Sequence, residues 1–140
     1  MIELFAYKPG DALLLNCLER EFNLKEQDQL AQRPYVLAYT AKIGEQVVAV
    51  FAMSTVFSGV FEVWSLLSQD VKKHPKTLAK TAKKFVDGLS KFGAHRIQMT
   101  TRHDLKGGQK WAEFLGFKPE CVMRKYGPDQ MDHILYSKVF

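Results

Sequence analysis

Residues 60 to 101 set one amphipathic helix between two strand-like runs, and few arrangements of a small chain accept that order. From Pro75 to Lys91 the apolar residues Leu78, Ala82, Phe85, Val86 and Leu89 recur at i, i+4, i+7, i+8 and i+11. That spacing is one face of a 3.6-residue period. Pro75 suits a first helical position, and Gly93 lies just past the end. Val60–Leu67 precedes the helix and Ala94–Thr101 follows it, both rich in strand-forming residues. Strand, helix, strand implies a right-handed crossover between parallel neighbours. Upstream, Tyr35–Ala41, Gln46–Phe57 and Val60–Leu67 are separated only by short turns at Gly44 and at Ser58-Gly59. Such turns join antiparallel strands. The expectation is one parallel pair inside a mainly antiparallel sheet.

The remaining elements fill in around this frame. Met1 to Tyr7 reads as a first strand, Pro9 to Arg20 as a helix, and Lys25 to Gln32 as a second helix stopped by Pro34. Asp104 is placed to cap a helix that runs to Leu115 and closes at Gly116. Lys118–Lys125 and Met131–Val139 pair across Gly127-Pro128-Asp129. The order is β-α-α-β-β-β-α-β-α-β-β, an α/β (α+β) chain.

No linker or repeat interrupts the 140 residues, so one domain over 1–140 is expected. With 46% hydrophobic and 25% charged residues, the chain has an ordinary globular balance rather than a disordered one. No apolar run approaches the ~18 residues of a membrane span, and the first residues lack the pattern of a secretory signal. Cys17 and Cys121 read as free thiols in a reducing cytoplasm, with Cys121 expected to be buried and inert. His74, His95, His103 and His133 show no ligand-like spacing, so no metal is expected. Neither a Gly-x-Ser-x-Gly elbow nor a Walker-type loop is present.

The element order, the strand ending at Leu67 with the helix from Pro75, and the run Lys110-Trp111-Ala112-Glu113-Phe114-Leu115-Gly116-Phe117 together resemble the GCN5-related N-acetyltransferase (GNAT) superfamily. Glu62–Val71 and the lysine-rich helix after it resemble, more narrowly, the acetyltransferase-like proteins of short-tailed phages, which include an internal virion protein. The resemblance implies a mixed sheet with helices on both faces, splayed between its fourth and fifth strands. Acetyl-CoA would lie in that splay, between Leu66-Leu67-Ser68 and Gln98-Met99-Thr100. Its pyrophosphate would meet the amides opening the next helix, where dipole and unpaired N–H groups favour an anion. Leu66, Leu67, Ser68, Lys72, Lys73, Lys76 and Thr77 are the corresponding cofactor-binding candidates. The acceptor would be an amine, and the setting a host cytoplasm or a virion interior with a phage or host protein partner.

Three departures stand against that pattern. The family's phosphate loop is glycine-rich, whereas Gln69–Thr77 contains no glycine, and Pro75 lacks an N–H. Where many members carry a proton-donating tyrosine this chain has Ala112, and Leu105 stands nearest the usual asparagine. Gly107-Gly108, costly inside a helix, allow a close approach or a frayed start. Glu62 is the candidate general base and Tyr126 the candidate acid; the alternative for Glu62 is a solvent-facing or ion-paired strand residue. Two functional readings follow: an acyl-CoA-dependent N-acetyltransferase, or a catalytically silent virion or assembly component with the same fold. Lys72, Lys73, Lys76, Lys80, Lys83, Lys84 and Lys91 read either as a solvated helix face or as a surface for nucleic acid. No aromatic residues interleave with them to stack bases.

Overall fold

A computed structural model describes residues 2–16 and 23–140, without the side chains at 71 and 72. Seven strands hydrogen-bond in the order β1-β2-β3-β4-β5-β7-β6. They are β1 (Ile2–Ala6), β2 (Val36–Ile43), β3 (Gln46–Phe57), β4 (Val60–Leu67), β5 (Arg96–Arg102), β6 (Lys118–Met123) and β7 (His133–Val139). The α-helices are α1 (Leu24–Ala31), α2 (Pro75–Gly88) and α3 (Lys106–Phe114). The chain divides into two compact units: Met1–Ser54 with Trp64–Thr81, and Thr55–Val63 with Ala82–Phe140.

In the first unit β1 pairs antiparallel with β2, Ile2 opposite Ile43, and β2 pairs antiparallel with β3, Val36 opposite Ser54. Val47 to Met53 of β3 are all buried, an unbroken apolar run that reflects cover on both faces. Ala12, Leu15, Val47, Val50 and Leu66 form one apolar cluster, with Tyr7 and Leu24 packed against it. The expected helix from Pro9 is instead a 3-10 turn at Asp11–Leu14, after which Leu15 is extended. Gly10, at φ 93, opens this turn in the left-handed region. Polar bonds hold it: Asp11 accepts from Lys8 N at 3.0 Å and Thr40 Oγ1 at 2.6 Å, and Tyr7 donates to Asp28. Cys17 to Arg20, the rest of that expected helix, lie outside the described residues. Asn23 caps α1 by accepting from Lys25 N and Glu26 N.

In the second unit β4 and β5 run parallel over Val60↔Arg96, Phe61↔Ile97 and Glu62↔Gln98, the crossover expected from the strand-helix-strand order. β7 pairs antiparallel with β5 along its whole length and with β6 on the other side. On β5, Ile97, Met99 and Thr101 are buried while Arg96, Gln98, Thr100 and Arg102 are half-buried, a two-residue alternation. Asp104 does not cap α3. Leu105 holds the cap position without a side-chain bond, and Asp104 instead takes two bonds from Arg102, at 2.9 and 2.7 Å. Arginine's forked guanidinium binds a carboxylate more strongly than a cap amide does. Cys121 is exposed on β6, the last strand in the pairing order, and not buried as expected.

Gly59 turns β3 into β4 at φ +82, and a Cβ there would lie 2.4 Å from His95 Nδ1 and 3.2 Å from Gly93 O. Gly59→Ala is therefore expected to destabilise the protein by about 1–2 kcal/mol from its left-handed backbone alone. The check is the shift in urea midpoint at unchanged slope, and an unshifted midpoint would mean that the hairpin relaxes freely.

Candidate functional site

The two groups of candidate residues belong to different units. Glu62 lies in β4 within the second unit, on the face opposite Phe61 and Val63, which are buried. It is half-buried, and that burial pushes its carboxyl above the ordinary range. Tyr126 stands in the loop between β6 and β7. It is 49% exposed, and the burial of the remainder and then the negative charge of Glu62 raise its phenol. The two residues thus sit within electrostatic reach of one another, 64 positions apart in sequence.

The loop that carries Tyr126 is fixed at several points. Lys125, at φ 53, donates its N–H to Asp132 Oδ1 at 3.0 Å. Gly127 N bonds Met131 O at 3.1 Å, and His103 N bonds Asp132 O at 3.0 Å. Arg102 reaches Asp129 at 3.2 Å while holding Asp104. The Tyr126 ring meets His133 edge-on, with centroids 5.4 Å apart at 64°. Gly127 is buried beneath the same imidazole, where a Cβ would lie 2.7 Å from Nε2. Sequence reading offered no signal for Arg102, Asp129 or His133, because their meeting depends on the β5–β7 register that sets Arg102 opposite His133.

A second polar group was equally invisible in sequence. Arg96 grips Glu120 through both guanidinium nitrogens, at 2.6 and 3.0 Å, and Ser137 donates to Glu120 at 2.7 Å. These bonds pull the Glu120 carboxyl down to about 2. Arg96 Nε also donates at 3.0 Å to Oε1 of Gln98, the register partner of Glu62. The network ties β5, β6 and β7 on the side where Glu62 and Gln98 pair.

The phosphate-loop candidates lie in the first unit. Leu66 is 2% exposed and belongs to the apolar cluster, so its side chain is core rather than ligand surface. Leu67 is half-buried, and Ser68 is buried. Ser68 N donates to Val48 O at 2.9 Å, Gln69 N to Asn16 O at 2.6 Å, and Asp70 N to Ser68 Oγ at 3.3 Å. All three amides therefore have protein acceptors already. Asp70 also draws in the local donors: Gln46 Nε2 at 2.6 Å, Ser68 Oγ at 3.2 Å and Lys73 Nζ at 3.5 Å. The loop thus carries its own anion. Lys76 and Thr77 are exposed in the first turn of α2, where their N–H groups have no intrahelical acceptor. The side chain of Lys72 lies outside the described residues.

Ala112 is 0% exposed on α3, so the position of the missing tyrosine is enclosed by protein. Gly108 packs on Thr101, with a Cβ there 3.4 Å from the threonine Cβ, whereas Gly107 faces open space. No other backbone among the described residues comes close to either glycine: Gly108 has only ordinary contact with the Thr101 side chain, and both glycines lie inside α3. Among the described residues no three His, Cys, Asp or Glu side chains gather to hold a metal ion. No helix among them is long and apolar enough to cross a membrane.

No protein-family model and no curated protein matches the chain. Solved structures do. Ribosomal-protein-S18-alanine N-acetyltransferase from Escherichia coli superposes with a TM-score of 0.81 at 16% identity, covering 99% of this chain and 94% of that one. A mutant of the spermidine N-acetyltransferase SpeG from Vibrio cholerae gives 0.78 at 12% identity, over 99% and 93% of the two chains. A Desulfovibrio desulfuricans protein assigned to the GNAT family of acetyltransferases gives 0.78 at 14%, over 99% of both. At these identities the likeness speaks for architecture, and with the strand order above it leads to one conclusion: the chain has the fold of the GNAT acetyltransferases.

Proposed function

We propose that the chain is an acyl-coenzyme A-dependent N-acyltransferase with a weak hold on its cofactor. The observation that carries this reading is the half-buried carboxyl of Glu62 on β4, near enough for its charge to act on Tyr126. A desolvated carboxylate with a raised pKa is a better-matched base for an ammonium than a solvated one. The Tyr126 phenol holds its proton at neutral pH and so can donate it to a leaving thiolate, though the charge of Glu62 makes it a weaker acid. Glu62 would take a proton from the amine acceptor, and Tyr126 would stand in for the acid that Ala112 cannot be. Acetyl-CoA, when bound, supplies the acyl group as a thioester.

The residues fit that cofactor in part. Lys76 and Thr77 offer first-turn amides, Lys73 and Lys76 offer charge, and β4 offers backbone at Leu66-Leu67-Ser68. Against this, the amides of Ser68, Gln69 and Asp70 are engaged, and Asp70 places a carboxylate beside the loop. Each missing hydrogen bond removes ~1 kcal/mol. A cytoplasmic and phage-associated setting rests on the sequence resemblance through Glu62–Val71.

Isothermal titration with acetyl-CoA and a free-thiol assay over an amine panel test the reading. The expected dissociation constant lies toward the weak end of the ~1 μM–1 mM span usual for enzyme substrates. Thiol release should depend on the added amine and on Glu62. Absence of both binding and release at millimolar acetyl-CoA would favour the silent scaffold, which the enclosed Ala112 and the engaged amides also support.

A further inference from the structure

The exposed face of α2 carries a row of like charges that ends at Asp87. Lys76, Lys80 and Lys84 are all exposed and recur every four residues, so they stack along one edge of the helix. Each step rises ~6 Å, giving a row ~12 Å long. Opposite them Leu78, Ala82 and Val86 are buried at 1%, 2% and 3% exposure. Among the described residues none of the three lysines has an ion-pair partner. Asp87 is the one carboxylate in the α2 sequence, and Lys83 at 3.3 Å and Lys138 at 2.7 Å hold it.

This arrangement works against the helix itself. Like charges at i, i+4 repel, and a lysine in the first turn faces the positive end of the helix dipole with no acid beside it. A merely solvated face is better served by alternating signs. Coenzyme A does not explain the row either, since a pyrophosphate at the helix start reaches only the first turn and leaves Lys80 and Lys84 unused. A membrane-surface helix would need its apolar side for lipid, and here that side is committed to the protein interior. No exposed aromatic ring interleaves with the lysines, so unpaired bases have nothing to stack on.

We propose that the Lys76–Lys80–Lys84 face of α2 binds the phosphate backbone of duplex nucleic acid without sequence preference. Three lysines then neutralise about three phosphates, and the release of counterions makes binding strongly salt-dependent.

Fluorescence anisotropy with a labelled DNA duplex tests this. Between ~50 and ~200 mM salt, three contacts at a slope of about −0.9 each predict a loss of about 40-fold in affinity. The triple change Lys76→Gln, Lys80→Gln, Lys84→Gln should flatten that slope by about 2.7 and leave the thermal midpoint unchanged or raised. The matching arginine triple variant should restore binding, because charge and not lysine itself is required. Single-stranded DNA should bind more weakly than the duplex, while duplex RNA should bind comparably. Three outcomes would overturn the proposal: no duplex binding at ~50 mM salt, unaltered binding by the glutamine variant, or capture on anionic phosphatidylserine vesicles with none on the duplex.

Discussion

Glu62→Gln should lower amine-dependent thiol release from acetyl-CoA by roughly 10²- to 10⁴-fold, the usual contribution of a positioned general base. Glutamine keeps the size of the side chain and its half-buried seat in β4 while removing the proton acceptor. The same change should raise the thermal midpoint at neutral pH. Burial holds the native carboxyl above its unfolded range. A raised carboxyl means that the folded state binds the proton more tightly than the unfolded state. Its contribution to stability is then greatest in acid and is lost as pH rises through the raised pKa. At neutral pH the wild type carries a desolvated charge that glutamine removes. Activity runs the other way, because the base must be ionised; rate should climb through the same pH range and then level off. Tyr126→Phe should cost less than Glu62→Gln and abolish any alkaline fall in rate that ionisation of the phenol causes in the wild type. A Glu62→Gln protein that is both slower and less stable would mean that the side chain is structural. A variant with undiminished turnover would remove Glu62 from the chemistry.

Local pattern was enough for most of the architecture, and the reason is visible element by element. The period of Leu78, Ala82, Val86 and Leu89 survives in α2 and the 3-10 turn after it because those positions are buried at 3% exposure or less. The parallel crossover follows from chain order, which sterics constrain strongly. Where polar contacts between distant residues decide, the sequence is mute. Asp11 reads as an ordinary helix residue until Thr40 and Lys8 are seen to hold it, and the turn at Asp11–Leu14 follows from those bonds. Asp104 reads as a cap until Arg102 claims it. Cys121 reads as buried because cysteines usually are, but β6 has only one neighbour in the pairing order.

The candidate site divides in the same way. Glu62 stood out in sequence as a carboxylate inside a strand, and it lies half-buried in β4. Leu66 was drawn in by its place in the motif, yet its side chain belongs to the core. Lys73 was chosen for its charge, and Asp70 shares that charge at 3.5 Å. Both lysine and carboxylate there are partly exposed, so the pair weakens an anion site without contributing much to stability. What no local pattern reveals is the fixing of the loop at Tyr126, through Arg102, Asp129, Asp132 and His133. Those residues span β5 to β7 and meet only once the register is known.

Restoring the tyrosine that the motif Trp111-Ala112-Glu113-Phe114-Leu115-Gly116-Phe117 lacks should harm the protein rather than improve it. Ala112 has no exposed surface, and its carbonyl accepts from Phe117 N at 3.0 Å as the helix closes. Leu115 and Phe117, which flank the closing glycine, are themselves 4% and 2% exposed. A phenol added there must displace packed neighbours, and overpacking by far smaller increments already costs ~1–3 kcal/mol. Its hydroxyl would also need a partner in a dry setting, at a further ~1–3 kcal/mol if none is met. Ala112→Tyr is therefore expected to lose at least ~3 kcal/mol, comparable to a large share of a small domain's total stability. Urea titration followed by circular dichroism would register this as a fall in midpoint. Ala112→Ser, which adds one atom, should lie between the two and separates size from polarity. A folded Ala112→Tyr protein with faster thiol release would show that the helix turns this position toward substrate. The substitute role assigned to Tyr126 would then be unnecessary, and Tyr126→Phe in that background should leave the rate unchanged.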